Sequence, residues 1–176
     1  MYFGRIMTKT VKRILITGVL MVIYGFLCRG LNIDFFWESN VFGWVIIMVG
    51  LIFLLIRRVK VKKSTNGTTG LEKVGIGALI LFIILMGLII IVIDNSNALS
   101  AAKTYVLNSD SLKKEIGDIR GFGFTYTGGI EISSDSAGED GTANISLIIK
   151  GSKKFKELDF YVVKEKKQNW VVKAIQ

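Results

Sequence analysis

The sequence contains no histidine and no proline, and its only cysteine is Cys28. Without histidine, neither a Ser–His–Asp triad nor a Cys–His pair can form. One cysteine cannot form an internal disulfide, and the last methionine is Met86. Residues 95–176 therefore lack the imidazole and sulfur ligands that zinc, copper, haem iron and iron–sulfur clusters usually require. We expect no catalytic residue, no cofactor and no metal site in this chain.

Carboxylates, lysines and hydroxyls are the reactive groups that remain, and Asp135, Glu139 and Asp140 lie close together in the sequence. Their spacing does not match the calcium loop of EF-hand proteins, and nothing near them indicates the sugar cleft of a glycosidase. A solvent-exposed hairpin is the favoured interpretation. An enzyme that uses carboxylates alone is the least favoured hypothesis, and it would need two acids with raised pKa values in one pocket.

Three uncharged apolar runs occupy residues 14–28, 39–56 and 74–93. About 20 apolar residues in a helix span the ~30 Å hydrocarbon core of a bilayer, so the sequence predicts membrane helices near 13–30, 39–57 and 74–93. The first run is short and also has the length of a signal-peptide core. A tilted span flanked by Arg13 and Arg29 is favoured, because both side chains can extend to the interface.

The positive charge lies beside these runs. Residues 1–93 carry eleven lysines and arginines against three acids, whereas residues 94–176 carry twelve against eleven. Basic residues precede the first run and lie between the second and third, which is the positive-inside pattern. We expect the N-terminus inside, residues 95–176 outside, and a multi-pass protein of a bacterial cytoplasmic (inner) membrane. A nucleic-acid partner is not expected, because the charge of residues 95–176 is nearly balanced.

Glycines recur seven residues apart in the first two runs, as Gly18 with Gly25 and Gly43 with Gly50. Each pair lies on one side of its helix, where small residues allow two membrane helices to pack closely. Glycine is also common in membrane helices without such a role, and that simpler explanation is favoured.

Residues 95–176 are predicted to form an α+β domain. Apolar residues recur at helical spacing from residue 95, Asn95 or Ser96 can cap the helix, and a break at 108–110 leads to a short helix that ends at Gly117. The period then changes to two, which predicts strands at 120–127, 129–135, 142–150, 156–166 and 169–175. Turns are expected at 128–129 and 138–141. The fold class is therefore three transmembrane helices followed by two helices packed on an antiparallel β-meander.

The C-terminal part of the chain carries short sequence blocks in a fixed order, at residues 98–108, 112–119, 129–133, 141–147, 150–152, 158–164 and 170–172. A helix ends in Ile116-Gly117, a strand follows a polar turn, and Trp170 lies near the last strand. This pattern resembles the cytochrome oxidase assembly protein 1 family, whose domain shares its fold with a subunit of the mitochondrial inner-membrane translocase.

The resemblance implies a membrane-tethered domain that faces the periplasm or intermembrane space. Its role would be to help assemble cytochrome c oxidase, or to dock on a related membrane complex. Typical family members have one N-terminal membrane helix, whereas three are predicted here. The resemblance supplies no catalytic residues.

Two functional hypotheses follow. The first is a non-enzymatic assembly or docking factor whose partners are the lipid bilayer and a membrane protein complex, such as respiratory oxidase subunits. Its candidate contact residues are the aromatic side chains Phe122, Phe124, Tyr126, Tyr161 and Trp170. Each of these side chains could instead belong to the domain's own core. An exposed side chain favours a partner contact, and a buried one favours the core. The alternative is an extracytoplasmic ligand-binding or sensory module, which needs a concave pocket with convergent polar groups.

Overall fold

The computed structural model describes residues 8–136, 138–166 and 168–176, without the side chain of Asp135. Contacts between Cα atoms divide the chain into two compact units, the first ending at Gly87 and the second beginning at Leu88. Each unit is described by itself below.

Three long apolar helices come first: α1 (Lys9–Gly30), α2 (Ser39–Ser64) and α3 (Gly70–Asp94). An 18-residue stretch of each helix has a mean hydropathy of 1.9, 2.4 and 3.4 in turn, and at ~1.5 Å per residue each helix is longer than the ~30 Å bilayer core. By length and composition all three can cross a membrane, which fits a multi-pass membrane protein. The short first run is part of a 22-residue helix that begins at the cap residue Thr8, whose side chain accepts a hydrogen bond from the Val11 amide.

The basic segment between the second and third runs is largely helical. The predicted membrane helices end near residue 57 and begin near residue 74, but α2 continues to Ser64 and α3 begins at Gly70. Lysine and arginine are good helix formers, so a helix can extend past its apolar run with no change of backbone. The connecting loop is therefore only residues 65–69.

Helices α1 and α2 pack closely at their glycines. A Cβ atom at Gly43 would lie 2.6 Å from the Gly18 carbonyl oxygen, and one at Gly25 would lie 2.6 Å from the Asn40 amide nitrogen. A Cβ at Gly50 would lie 2.7 Å from the Leu15 side chain. These neighbours show an antiparallel hairpin in which glycine permits the approach of the two backbones. The favoured explanation, glycine without a packing role, was wrong at these positions.

Two short helices open the second unit after the end of α3. Helix α4 (Asn97–Asn108) is capped by Ser96, whose Oγ accepts a hydrogen bond from the Leu99 amide at 3.1 Å. Helix α5 (Asp110–Ile116) is capped in the same way by Ser109 and ends at Gly117. The predicted helices, the break between them and the glycine stop are confirmed.

The sheet contains five antiparallel strands: β1 (Ile119–Phe122), β2 (Thr127–Asp135), β3 (Gly138–Gly151), β4 (Phe155–Lys164) and β5 (Val171–Ile175). Strands β2 to β5 form a meander, while β1 pairs with β3 along the same edge as β2. The predicted α+β class is confirmed.

Two predicted turns are instead parts of strands. Gly128 and Gly129 lie inside β2, and residues 138–141 are the first four of β3. The predicted strand over 120–127 is broken at residues 123–126. Gly128 has a φ of +137°, and a Cβ there would overlap the Asn144 carbonyl oxygen. The glycine is required for a close approach of β2 to β3, not for a turn.

The core of the second unit lies between the helices and one face of the sheet. On β3 the predicted inward residues Ala143, Ile145, Leu147 and Ile149 are at most 1% exposed. They pack with apolar residues of both helices and of β4: Ala98, Leu99, Ala102, Val106, Ile116, Leu158, Phe160 and Val162. Ile148, which breaks the alternation, is also buried.

Candidate functional site

The five aromatic candidates occupy different places in the second unit. Tyr126 is in the core, and Phe122 and Trp170 are half-buried and pack against it. Phe124 is 47% exposed and Tyr161 39% exposed. On the sheet Tyr161 pairs with Asn144, six positions along β3 from Lys150, which the Phe124 ring contacts. Six residues of strand measure about 20 Å, so the two exposed rings do not form one cluster.

Lys103 of α4 contacts two of the candidates, Phe122 and Tyr126. Its Nζ donates a hydrogen bond to the Tyr126 hydroxyl at 3.1 Å and lies 5.0 Å from the centre of that ring. The Phe122 ring is 5.9 Å away, and Asp94 Oδ1 at the end of α3 is 3.7 Å away. A cation held by two rings and a carboxylate is a stable structural contact. Phe122 and Tyr126 therefore help to hold the middle of α4 on the sheet.

A second lysine lies between two rings on the sheet face opposite the helices, of which Phe124 is exposed and Phe155 is half-buried. Lys150 Nζ lies 5.6 Å from the centre of the Phe124 ring and 5.8 Å from that of Phe155. This face is accessible beside Phe124, since α4 and α5 pack on the other side. Phe124 and Tyr161 are the two most exposed of the five candidates.

The two edges of the sheet differ. Among the described residues β2 pairs only with β3, in an uninterrupted register of nine residues. The β2 strand contains neither lysine nor proline, and Ile132 is 60% exposed. Strand β5 has only five residues, contains Lys173 and has a register shift opposite Tyr161 and Val162. Charged side chains (lysine above all), irregular register and short length protect an edge against pairing with another chain. The β2 edge has exposed Glu131, but it has no lysine, its register is uninterrupted and it is nine residues long.

A groove lies between one face of α4 and the residues that lead into β5. We call it the α4–β5 groove, and its volume is about 1160 Å³. Uncharged polar residues dominate its lining: Asn97, Ser100, Thr104, Asn108, Gln168 and Asn169. The Trp170 ring lines it as well, and its Cη2 atom lies 2.9 Å from where a Cβ at Gly141 would be. The tryptophan edge thus occupies the space that a side chain at Gly141 would need.

Two acids of this unit, Glu115 and Glu139, have pKa values that are lowered by lysines. Lys154 and Lys156 donate hydrogen bonds of 2.8 Å to the Glu115 carboxylate and lower its pKa to about 2. Lys164 donates a hydrogen bond of 2.7 Å to Glu139 beside the groove and lowers the pKa of that carboxyl. Lowered pKa values favour the charged form, which suits ion pairs and not general acids.

The predicted acidic hairpin is the β2–β3 connection, where Asp135 pairs with Gly138 and Ala137 lies outside the described residues. Glu139 is engaged with Lys164. Across the described part of the chain, no group of three or more cysteine, aspartate or glutamate side chains is placed to hold a metal ion.

Sequence reasoning missed two buried acids in the first unit. Glu38, at the start of α2, is fully buried, and Glu72 in the first turn of α3 is 6% exposed and lies 2.6 Å from Lys62 Nζ. Both stand within two residues of an apolar run and were counted as flanking charges. The sequence signal for a buried acid was its position directly beside an apolar run. A charged side chain there either extends to the membrane–water interface or needs a partner of opposite charge.

The polar face of α4 was missed as well. Only the apolar spacing of this helix was used to predict it, whereas Tyr105 on the same helix is 42% exposed and lines the groove. The signal was the recurrence of Asn97, Ser100, Thr104 and Asn108 at helical spacing.

Comparison of the chain with protein-family models, curated proteins and solved structures gives no significant match.

Proposed function

We propose that this chain is a non-enzymatic, membrane-anchored docking or assembly factor for a membrane protein complex, and that a partner strand pairs with the β2 edge. The observation that carries the proposal is the open nine-residue edge of β2, which lacks lysine, proline and irregular register. Such an edge offers main-chain hydrogen bonds to an extended segment of another protein. Exposed Ile132 supplies an apolar contact there.

The expected context is the assembly of cytochrome c oxidase or a related complex. The resemblance of residues 98–172 to the cytochrome oxidase assembly protein 1 family supports it, together with the three apolar helices. Phe124 and Tyr161, on the face opposite the helices, are further contact residues for such a partner.

The proposed topology has the N-terminus and the α2–α3 loop inside and the second unit outside, in a bacterial cytoplasmic membrane. In the antiparallel α1–α2 hairpin, the start of α1 and the end of α2 lie at the same end. The basic residues of both helix ends are gathered there: Lys9, Lys12, Arg13, Arg57, Arg58, Lys60, Lys62 and Lys63. A single basic end on the hairpin supports its placement on the cytoplasmic side.

Site-specific photo-cross-linking in intact membranes tests the docking surface. A photoreactive amino acid at Ile132 on β2 is compared with the same residue at Val171 on β5, which is 49% exposed. We expect cross-links to a subunit of one membrane complex from position 132 and none from position 171. Equal cross-linking from both edges, or none from position 132, would contradict the proposed surface.

A matched pair of lysine substitutions provides the functional test. Ile132→Lys places a charge on the open edge, whereas Val171→Lys adds one to an edge that already contains Lys173. Lysine on an edge strand disfavours pairing with another chain. We expect Ile132→Lys to reduce recovery of the complex and Val171→Lys to leave it unchanged.

The second candidate function is an extracytoplasmic ligand-binding or sensory module. It is favoured by one observation, the α4–β5 groove with its convergent polar groups. A ligand-binding module would retain its activity in Ile132→Lys, which distinguishes it from the docking factor.

A further inference from the structure

One face of α4 carries four uncharged polar side chains in a line. Asn97, Ser100, Thr104 and Asn108 follow each other at intervals of three or four residues, over about 16 Å of helix. All four are exposed, and none makes a side-chain hydrogen bond within the described part of the chain. Amides and hydroxyls both donate and accept, so this face can bind ligand groups of either kind.

Trp170 provides an aromatic surface on the other side of the groove. Its ring is half-buried and packs against the core, and its Cη2 edge lies beside Gly141. Because its neighbours hold the ring, a ligand that packs on it does not have to order a mobile side chain. The indole N–H makes no hydrogen bond to any described residue.

Among the described residues, the lining of the groove carries almost no net charge. Its charged members are Lys164 and Glu139, which form an ion pair at 2.7 Å. Lys103, the one charged residue of α4, contacts Tyr126 and Asp94 and is not part of the lining. An anionic ligand would need an unpaired lysine or arginine in the groove. A cationic ligand would need an unpaired carboxylate there.

From these features we infer that the α4–β5 groove is a binding site for a neutral oligosaccharide. A pyranose ring has one face of C–H groups that packs on an aromatic ring, and hydroxyls around its rim that exchange hydrogen bonds with amides and hydroxyls. In the groove, Trp170 supplies the aromatic ring, and α4, Gln168 and Asn169 supply the amides and hydroxyls.

The size of the groove fits several sugar units. Pockets of about 300–1,000 Å³ hold drug-sized ligands, so a volume of about 1160 Å³ exceeds what one monosaccharide needs. The line of polar residues on α4 extends the contact along the helix. This site is separate from the β2 edge, and it does not depend on the docking proposal.

Fluorine NMR of the full chain, labelled with 5-fluorotryptophan, measures binding directly. The chain has three tryptophans, of which Trp37 and Trp44 lie in the first unit and act as internal controls. Lipid nanodiscs replace glucoside and maltoside detergents, whose headgroups would compete. The probes are cellotetraose and chitotetraose, with an acidic tetrasaccharide and a tetrapeptide as class controls. We expect a neutral tetrasaccharide to shift the Trp170 resonance alone.

Two conservative variants identify the polar contacts. Thr104→Val keeps the shape of the side chain but removes its hydroxyl, and Asn108→Ala removes an amide. Each should weaken binding by up to about tenfold, the effect of one neutral hydrogen bond. Asn144→Ala removes another exposed amide, on the opposite sheet face, and should leave the affinity unchanged.

Three results would overturn the inference. The first is no Trp170 shift with either neutral sugar at millimolar concentration while the protein remains folded. The second is a Trp170 shift with the peptide or the acidic sugar but not with the neutral ones. The third is equal loss of binding in Asn144→Ala and Asn108→Ala. If the chain does not bind sugar but still recovers its partner complex, the groove site alone is refuted. If it binds sugar but recovers no partner complex, the docking proposal alone is refuted.

Discussion

At some positions of this structure, only glycine fits without strain or overlap. At Gly128 the backbone has a φ of +137°, and the Asn144 carbonyl oxygen fills the position of a Cβ. The next residue, Gly129, has a negative or extended φ and no atom within 4 Å of its Cβ position. The two neighbours therefore form a natural matched pair.

Gly128→Ala should lower the free energy of unfolding of the second unit by at least about 3 kcal/mol, because strain and overlap act together. Gly129→Ala should have little effect. Thermal unfolding followed by circular dichroism on both variants measures the difference. Equal stability of the two variants would contradict the close approach of β2 to β3.

The Glu115 carboxylate gives the stability a dependence on pH. Hydrogen bonds from Lys154 and Lys156 lower its pKa to about 2, against 4.5 for an ordinary glutamate. A lowered pKa in the folded state stabilises the fold above about pH 4.5, and this contribution is lost as the pH falls towards about 2. The difference in melting temperature between the wild type and Glu115→Gln should therefore be largest near neutral pH and shrink across that window.

Lysine variants test whether the ion pairs of Glu115 cause this pH dependence of the stability. Lys156→Gln removes one of the donors to Glu115 and should weaken the same pH dependence. Lys153→Gln leaves it unchanged, because its Nζ contacts the Lys114 carbonyl oxygen and not Glu115. An equal effect of both lysine variants would exclude the assigned cause.

At the scale of elements, the α1–α2 hairpin depends on helix approach at glycine. A Cβ at Gly43 would meet the Gly18 carbonyl oxygen and the Val22 side chain at 2.6 Å, whereas nothing lies within 4 Å of one at Gly77 in α3. Gly43→Ala should lower the stability of the hairpin by about 1–3 kcal/mol, and Gly77→Ala should not. Thermal unfolding in nanodiscs compares the two, and a loss of stability in Gly77→Ala alone would contradict this packing.

The elements that could be predicted from the sequence are those with strong local signals. Ser96 and Ser109 cap their helices, Gly117 ends α5, and Ala143 to Ile149 alternate along β3. The failures occurred where a residue's role depends on a distant neighbour. Gly128 looks like a turn residue until Asn144 is seen beside it, and the α1–α2 glycines acquire a role only when a second helix faces them.

The candidate site was predictable only in part, for the same reason. The aromatic residues were visible in the sequence, but their burial depends on tertiary contacts, as for Tyr126 against Lys103. The α4–β5 groove joins residues more than 60 positions apart, from Ser100 to Trp170. The openness of the β2 edge follows from the strand order, which a list of strands does not contain.

At the scale of the whole molecule, the proposed topology makes a direct prediction. In a Cys28→Ser background, a cysteine at exposed Ser134 should react with a membrane-impermeant maleimide on intact cells. A cysteine at Thr68, in the α2–α3 loop, should react only after lysis. The opposite labelling pattern would reverse the assigned orientation.

Affinity purification of the tagged chain from native membranes in mild detergent, with mass spectrometry of the recovered proteins, tests the docking function most directly. Wild type, Ile132→Lys and Val171→Lys are purified in parallel, beside an unrelated three-helix membrane protein. The account predicts that subunits of one membrane complex, with respiratory oxidase subunits as the expected case, are enriched with wild type and Val171→Lys and depleted with Ile132→Lys. Recovery of the chain alone, or of the same proteins from all three variants, would contradict it.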